Sequence, residues 1–432
     1  MQKFIIQAID FIRGNQIKKS VNGIKEINNW QDVDQIEKYH QKRIEILLNK
    51  AKSNTDFYAD YEGADHFSKF PVINKNKINN NREAFLNKEY KLDKLRKVTT
   101  SGSTGVPFLV YHNPEKTKRQ IADNYYFSET CGHTLGQKLY YIRIWNEIND
   151  LGILQRIVKN IVQVNTSVVD KNMVQILLKQ LYVQKGKKSI LAYSSSLEAM
   201  VQVMKSEKIE VPKIKDLSCI ITMAEALNKE AKEVVEQELN TKVYSRYSNS
   251  ENGFFAHQIP NLGSNYKINN ASFKIEIIDF DSNEEVPNGQ SGRIVITDLF
   301  NFALPMIRYD TGDVGVMEWV NDEKGMQHLV LSKIEGRRLD FISFEGKLIS
   351  PHTVDYALRT FDKLKQFQLI LKKDKTFELL LNSNQELGEW ECGEMRQRLK
   401  AYIGQNAEIK ITRVDNIPLL SSGKRKIVRV EE

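Results

Sequence analysis

The sequence predicts an α/β fold in two parts, a large layered N-terminal body and a small α+β C-terminal domain, and three observations support this. Strand-like runs alternate with helical ones from Lys138 to Tyr244, the pattern of a parallel sheet covered by helices. From Phe273 the pattern turns β-rich, and beyond Gly336-Arg337-Arg338-Leu339-Asp340 two strands, a helix and a further strand form a compact set. At 432 residues the chain is too long for one hydrophobic core, so two or more domains are expected. We place residues 1–338 in the first, with a helical segment over 1–90, and 339–432 in the second.

Taken in order, Asp34 to Lys52 carries Ile36, Tyr39, Ile44, Leu47 and Leu48 near helical spacing, and Phe70-Pro71 reads as a turn into another short helix. Leu95 to Val98 and Pro107 to Tyr111 read as paired strands around a polar loop, followed by a helix from Glu115 to Cys131. Lys138 to Trp145 and Ser189 to Tyr193 read as buried strands, the second followed by Ser194-Ser195-Ser196 and a helix from Leu197 to Lys205. A strand at Ser218 to Thr222 precedes a helix from Leu227 to Leu239, then a short strand at Val243-Tyr244. Phe273 to Phe280 and Gly292 to Thr297, joined through Val286-Pro287-Asn288-Gly289, resemble a hairpin or small barrel appended to the sheet. The C-terminal part has strands at Gln366 to Lys372, Thr376 to Leu381 and Ile409 to Val414, a helix at Trp390 to Tyr402, and the basic tail Ser421 to Lys426.

Composition narrows the function classes. Hydrophobic residues at 41% and charged residues at 27% are ordinary for a globular protein. The net charge of +8 comes from lysines scattered along the chain, without the arginine–aromatic signature of nucleic-acid binding, so no nucleic-acid partner is expected. Three separated cysteines, Cys131, Cys219 and Cys392, support neither a disulfide framework nor a zinc site and suit a reducing cytoplasm. No run has the length of a membrane span. The first twelve residues interrupt their apolar stretch with Gln7 and Asp10 and lack a cleavage signal. Their apolar side chains form either a peripheral membrane-surface face or a helix packed on its own domain.

The stretch with the most chemistry is Thr99-Thr100-Ser101-Gly102-Ser103-Thr104-Gly105-Val106-Pro107-Phe108. The hydroxyls of Ser101, Ser103 and Thr104 sit with Gly102 and Gly105 in a loop that can offer backbone N–H and side-chain O–H donors to a phosphate. It is not a Walker loop, because no lysine follows Gly105 and a strand, rather than a helix, comes next.

Four further stretches follow the loop in order: Tyr247-Ser248-Asn249-Ser250-Glu251, Met306 to Asp313 (MIRYDTGD), Gly336 to Asp340, and Pro418 to Lys424 (PLLSSGK). With Thr99 to Pro107 they resemble the motif set of the adenylate-forming superfamily, acyl-CoA synthetases and their relatives, in particular its phenylacetate–coenzyme A ligase and CapK-like branch. The resemblance spans roughly residues 90–432 and implies a large adenylating domain with a small mobile C-terminal lid. It implies an ATP- and Mg²⁺-dependent ligase that activates a carboxylic acid as an acyl-adenylate. The acyl group would then pass to coenzyme A, a carrier-protein phosphopantetheine or a sugar amine.

In that setting Ser101, Gly102, Ser103, Thr104 and Gly105 would hold the β- and γ-phosphates, and Ala224 and Glu225 would line adenine, on which Tyr247 stacks. Ser250 would meet the α-phosphate or acyl group, Glu251 the Mg²⁺ ion and Asp313 the ribose hydroxyls. Arg337 or Arg338 would meet ribose or phosphate oxygens, and Lys424 would arrive with the lid to neutralise developing charge. Tyr141, Ser194, Ser195 and Asn249 are candidates for the acid pocket. Val106 stands where many relatives carry a lysine, and the doubled arginine leaves Leu339 or Asp340 as the hinge, of which Asp340 is preferred. A non-catalytic scaffolding relative in polysaccharide assembly is the alternative. The acid, the acceptor and the oligomeric state, a homodimer included, stay open.

Overall fold

The computed structural model describes residues 2–12, 14–30, 32–61, 67–100, 108–143, 145, 150–166, 169–337, 342–345, 347–349, 354, 357–358, 360–361, 363–383, 385–417 and 427–431. The chain divides into two compact units, Met1–Thr311 with Gly315–Lys333, and Gly312–Val314 with Ile334–Glu432.

The first unit opens with helices α1 (Gln2–Ile12), α2 (Gln16–Asn28) and α3 (Val33–Asn54), then short helices α4 (Asp56–Ala59), α5 (Lys75–Asn80) and α6 (Arg82–Phe85). Two of these starts have a local reason: Asp32 caps α3 by accepting from the Asp34 N–H at 2.9 Å, and Asn74 caps α5 through the Lys77 N–H. The periodic residues of α3 face inward as expected, with Ile44 and Leu47 buried. Side chains of α3 also hold the body directly, through Tyr39 Oη to the Ala271 carbonyl at 2.7 Å and Arg43 to the Leu299 carbonyl at 2.9 Å.

Strands β1 (Arg96–Thr100) and β2 (Phe108–His112) pair antiparallel from Arg96↔His112 to Thr100↔Phe108, so the hairpin read from sequence is present. Helix α7 (Pro114–Thr130) follows, with Pro at its first turn where no N–H is needed. Next come β3 (Lys138–Arg143), α8 (Ile153–Lys159), β4 (Ile161–Asn165), α9 (Lys171–Val183), β5 (Lys188–Tyr193), α10 (Ser194–Ser206), β6 (Leu217–Met223), α11 (Lys229–Glu238) and β7 (Val243–Asn249). The chain continues through β8 (Gly253–Gln258), β9 (Tyr266–Ile268), β10 (Phe273–Ile278), β11 (Ser291–Asp298), β12 (Tyr309–Asn321) and β13 (Gln327–Arg337).

These strands form one 11-stranded sheet in the order β10-β11-β12-β13-β9-β8-β7-β6-β5-β3-β4. The stretch β4-β3-β5-β6-β7 is parallel, and its apolar face (Ile142, Ile190, Ile220) packs on Leu177 and Leu181 of α9, Leu197 and Met200 of α10 and Val235 of α11. Of the hairpin or small barrel expected over Phe273 to Thr297, the hairpin is present, with β10 and β11 paired antiparallel, and it belongs to the main sheet, which continues antiparallel from β7 through β8 and β9. Two other expectations change in detail. Helix α10 starts at Ser194, three residues early, and β7 runs through Asn249, which places Tyr247 on a strand.

In the second unit, β14 (Ile342–Phe344) pairs with β15 (Lys347–Ile349), and β16 (Leu364–Leu371), β17 (Phe377–Ser383), β18 (Ile409–Arg413) and β19 (Val428–Val430) make a four-stranded sheet ordered β18-β17-β16-β19. Helix α12 (Glu389–Ile403) covers it through Met395, Leu399 and Ile403. The basic tail does not end this unit, since β19 beyond it adds a parallel strand beside β16.

In the first unit a fully buried ion pair joins α7 to the end of β11. Lys116 Nζ lies 2.5 Å from an Asp298 carboxylate oxygen, both side chains have no exposure, and the ammonium sits 4.6 Å from the centre of the Phe273 ring. The other Asp298 oxygen accepts from the Phe300 and Asn301 N–H groups. Lys116→Ala, which strands a buried carboxylate, should cost about 3–5 kcal/mol. Lys116→Met with Asp298→Asn, which removes both charges and keeps the turn acceptor, should cost clearly less. Urea midpoints of the two variants check this.

Candidate active site

The antiparallel hairpin pairs Thr100 with Phe108, the two residues that flank the candidate 101–107 stretch in sequence. Ser101, Gly102, Ser103, Thr104, Gly105 and Val106 themselves lie outside the described residues, as do Arg338, Leu339, Asp340 and Lys424. Arg337 is the last residue of β13.

At the other end of the hairpin, His112 closes β2 against the turn between β7 and β8. Its Nε2 donates to the Glu251 carbonyl at 2.6 Å. That carbonyl can only accept, so the ring proton belongs on Nε2. Burial, with Lys116 nearby, pushes the imidazole down to about 4, which keeps it neutral. The buried Glu251 side chain accepts from the Tyr309 hydroxyl at 3.2 Å. Tyr247 lies half-buried on β7 and donates its hydroxyl to Thr311 Oγ1 at 3.2 Å, while Thr311 in turn donates to the Ile294 carbonyl. Two contacts thus join the Tyr247–Glu251 stretch to Tyr309 and Thr311 at the start of β12, and a third joins it to the hairpin. Ser250 is exposed in the intervening turn. Asn249 makes that turn, its Oδ1 accepting from the Asn252 N–H at 2.7 Å, so its side chain is committed to backbone rather than to a pocket.

Arg308 fixes the approach to β12. It has a left-handed backbone, φ 50°, uncommon for a side chain of this size. Its guanidinium meets Glu276 at 3.0 Å and the carbonyls of Ser68, Phe70 and Asn283 at 2.8, 3.1 and 2.8 Å. Backbone bonds between Ile73 and Arg308 and between Asp310 and Ile73 complete the clamp.

The carboxyl ends of the parallel strands form a second group. Ala224, just past β6, has φ 77°, a conformation that costs about 1–3 kcal/mol for a residue with a Cβ and that clusters at functional sites. The Glu225 carbonyl accepts from the buried Ser194 hydroxyl at 2.7 Å, and Ser195 follows half-buried in the first turn of α10. Tyr141 and Tyr193, at the ends of β3 and β5, stand 5.7 and 5.2 Å from the Arg143 guanidinium, with Trp145 at 5.2 Å. Arg246 reaches Asn124 at 3.1 Å and Met223 Sδ at 2.8 Å. His112, Tyr309, Arg308, Arg143, Tyr193 and Arg246 were not among the expected site residues. The only available hints were an arginine inside the apolar run Leu304 to Tyr309 and aromatics at strand ends.

Among the described residues no three His, Cys, Asp or Glu side chains cluster as a ready metal cage. Glu251 is the type of donor that a Mg²⁺ ion shares with substrate phosphates, so the residues present fit that mode and not a self-contained site. Cys131 packs on Cys219 and Ile221, and burial raises both thiols above their ordinary range.

Comparison with known proteins bears on the fold. Residues 341–431 match the CapK C-terminal domain family. A solved structure of 2-hydroxyisobutyryl-CoA ligase, in the postadenylation state with 2-HIB-AMP, superposes with a TM-score of 0.74 at 17% identity, covering 94% of this chain and 91% of that one. The phenylacetate–coenzyme A ligase of Thermus thermophilus is 28% identical over 107 residues, 24% of each chain. The fold is therefore that of the adenylate-forming CoA ligases. Along most of its length the chain is similar to the protein CapK of Staphylococcus aureus, 23% identical over 439 aligned residues that cover 96% of this chain and 93% of CapK.

The Arg308 clamp carries its own pH signature. Burial pushes the Glu276 carboxyl up to about 7 from 4.5 despite the adjacent guanidinium. The folded protein then holds this proton more tightly than the unfolded chain, so the contribution is complete below about pH 4.5 and lost as pH rises through about 7. Glu276→Gln should flatten the fall in urea midpoint across that window, measured in parallel with the unsubstituted protein.

Proposed function

We propose that the protein is an ATP-dependent, AMP-forming acid ligase that makes an acyl-adenylate and passes its acyl group to coenzyme A or another nucleophile. The observation that carries this reading is the convergence of His112, Glu251 and Tyr309, which joins the base of a phosphate-type hairpin to two motifs far away in sequence. A fold shared with a ligase solved with its acyl-adenylate adds support.

In this reading the reacting carboxylate must approach an α-phosphorus that already carries negative charge, so the protein contributes placement and fixed positive potential. Ser101 to Gly105 hold the β- and γ-phosphates through backbone N–H and hydroxyl donors. Tyr247 presents its ring to adenine while its hydroxyl is tied to Thr311, and Asp313 accepts from the ribose hydroxyls. Ala224 and Glu225 line the base, and Arg337 or Arg338 meets ribose or phosphate oxygens. Glu251 is the carboxylate for Mg²⁺, which supplies charge neutralisation on the phosphates. Its position is held by Tyr309 on one side and by neutral His112 on the other. Ser250 faces the α-phosphate, and Lys424 delivers a cation to the reacting phosphate from the C-terminal domain, 339–432. The rings of Tyr141, Trp145 and Tyr193 around Arg143 suit an acid with an aromatic or short apolar body.

ATP–pyrophosphate exchange across aryl, amino and hydroxy acids tests the reading; exchange with none of them, together with no ATP binding, would favour a scaffold. Lys424→Ala should slow adenylation by about 10²–10³-fold, the scale for losing one aimed electrostatic donor. Its effect on thioester formation from preformed acyl-adenylate should be far smaller, and single-turnover assays of each half-reaction separate the two. Offering coenzyme A, a phosphopantetheinyl carrier or an amino sugar to the adenylate identifies the acceptor.

A further inference from the structure

Helices α1 and α8 pack against one another and leave an unusual amount of apolar side chain in water. On α1, Phe4 is 75%, Phe11 71% and Ile12 83% exposed, and at helical spacing they share one face with Ala8 and the partly exposed Ile5. On α8, Ile153, Leu154 and Ile157 are 66%, 78% and 59% exposed. Scattered single apolar residues need no explanation, but this many on two touching helices mark a surface that is normally covered.

The face is not a loosely attached end. Asp10, the polar interruption in α1, turns inward, where its two carboxylate oxygens accept from the Ile17 and Lys18 N–H groups at 3.0 Å and lock α1 to the start of α2. The backbone of Lys3 passes so close to Gly136 that a Cβ there would lie 2.5 Å from the Lys3 nitrogen. The outward face of α1 is therefore left without an acid.

Charge selects the occupant. Among the described residues of 2–19 and 153–159, the charged side chains are Lys3, Lys18, Lys19, Arg156 and Lys159 against Asp10 alone, with Asp150 exposed just before α8. A second copy of this chain would set one surplus of positive charge against another, with like charges opposed. An anionic lipid surface offers the complement, taking the apolar side chains into its interface and the cations among its headgroups. No helix among the described residues is long and apolar enough to cross a membrane, so attachment would lie in the interfacial plane. We propose that α1 and α8 form a docking face for an anionic membrane surface, a role independent of the chemistry of the nucleotide site.

The test is co-sedimentation of the full chain with phosphatidylcholine vesicles, with and without phosphatidylglycerol, helical circular dichroism serving as the fold control. We expect partition into the phosphatidylglycerol vesicles that weakens with salt. Phe4→Ser with Phe11→Ser, and separately Ile153→Ser with Leu154→Ser, should lower the partition coefficient by about tenfold or more. Lys18→Glu with Lys19→Glu should remove the preference for anionic lipid. Absence of partition by the unsubstituted chain, or undiminished partition by Phe4→Ser with Phe11→Ser, overturns the proposal. Equal loss with Trp390→Ser, 76% exposed on α12 in the other unit, would also overturn it by showing non-specific stickiness. So would a dimer in analytical ultracentrifugation that Phe4→Ser with Phe11→Ser dissolves, since a second copy would then be the occupant.

Discussion

A guanidinium that water does not reach governs the geometry of the larger unit. Arg308 is almost fully buried, and a buried cation is tolerated only where each donor finds an acceptor. Its acceptors come from three places, Glu276 on β10, the carbonyls of Ser68 and Phe70, and the carbonyl of Asn283. No local segment could supply them together. Satisfying one side chain therefore draws these segments together and sets the start of β12, with Tyr309 and Thr311.

Lys116 and Asp298 do similar work behind the hairpin. Their pairing joins the helix that follows β2 to the turn that leads toward Arg308. His112, within electrostatic reach of Lys116 and Asp298, is held neutral by burial and can still donate to the Glu251 carbonyl. The larger unit thus holds buried, paired polar groups next to the candidate site. Such an arrangement would suit the proposed reaction, in which catalysis rests on placing charges that do not relax during the step.

The apolar face of α1 and α8 obeys a different logic. Nothing in the pairing around Arg308 or Lys116 requires Phe4, Phe11 or Leu154 to face water, and each would be inexpensive to replace if the face had no use. Attachment and chemistry can then be altered separately, because the residues that serve one are not those that hold the other.

Much of this was readable before any coordinates. The sequence alone determined the alternation of strands and helices from 138 to 244, the hairpin around residues 101–107, the helix from Asp34 and the α+β character of the C-terminal unit. These depend on periodicity and turn chemistry over a few residues, and such signals are local. Tertiary structure alone decided that β10 and β11 extend the main sheet, that a strand returns after the basic tail, and that Asn249 serves its own turn. It also decided that His112 stands behind the motifs and that Arg308 and Tyr309, inside one of them, turn to buried partners. An arginine, a histidine or a tyrosine looks the same in sequence whether it faces solvent or bonds to a carbonyl more than a hundred residues away. The burial that gives it meaning exists only once the distant segments have met.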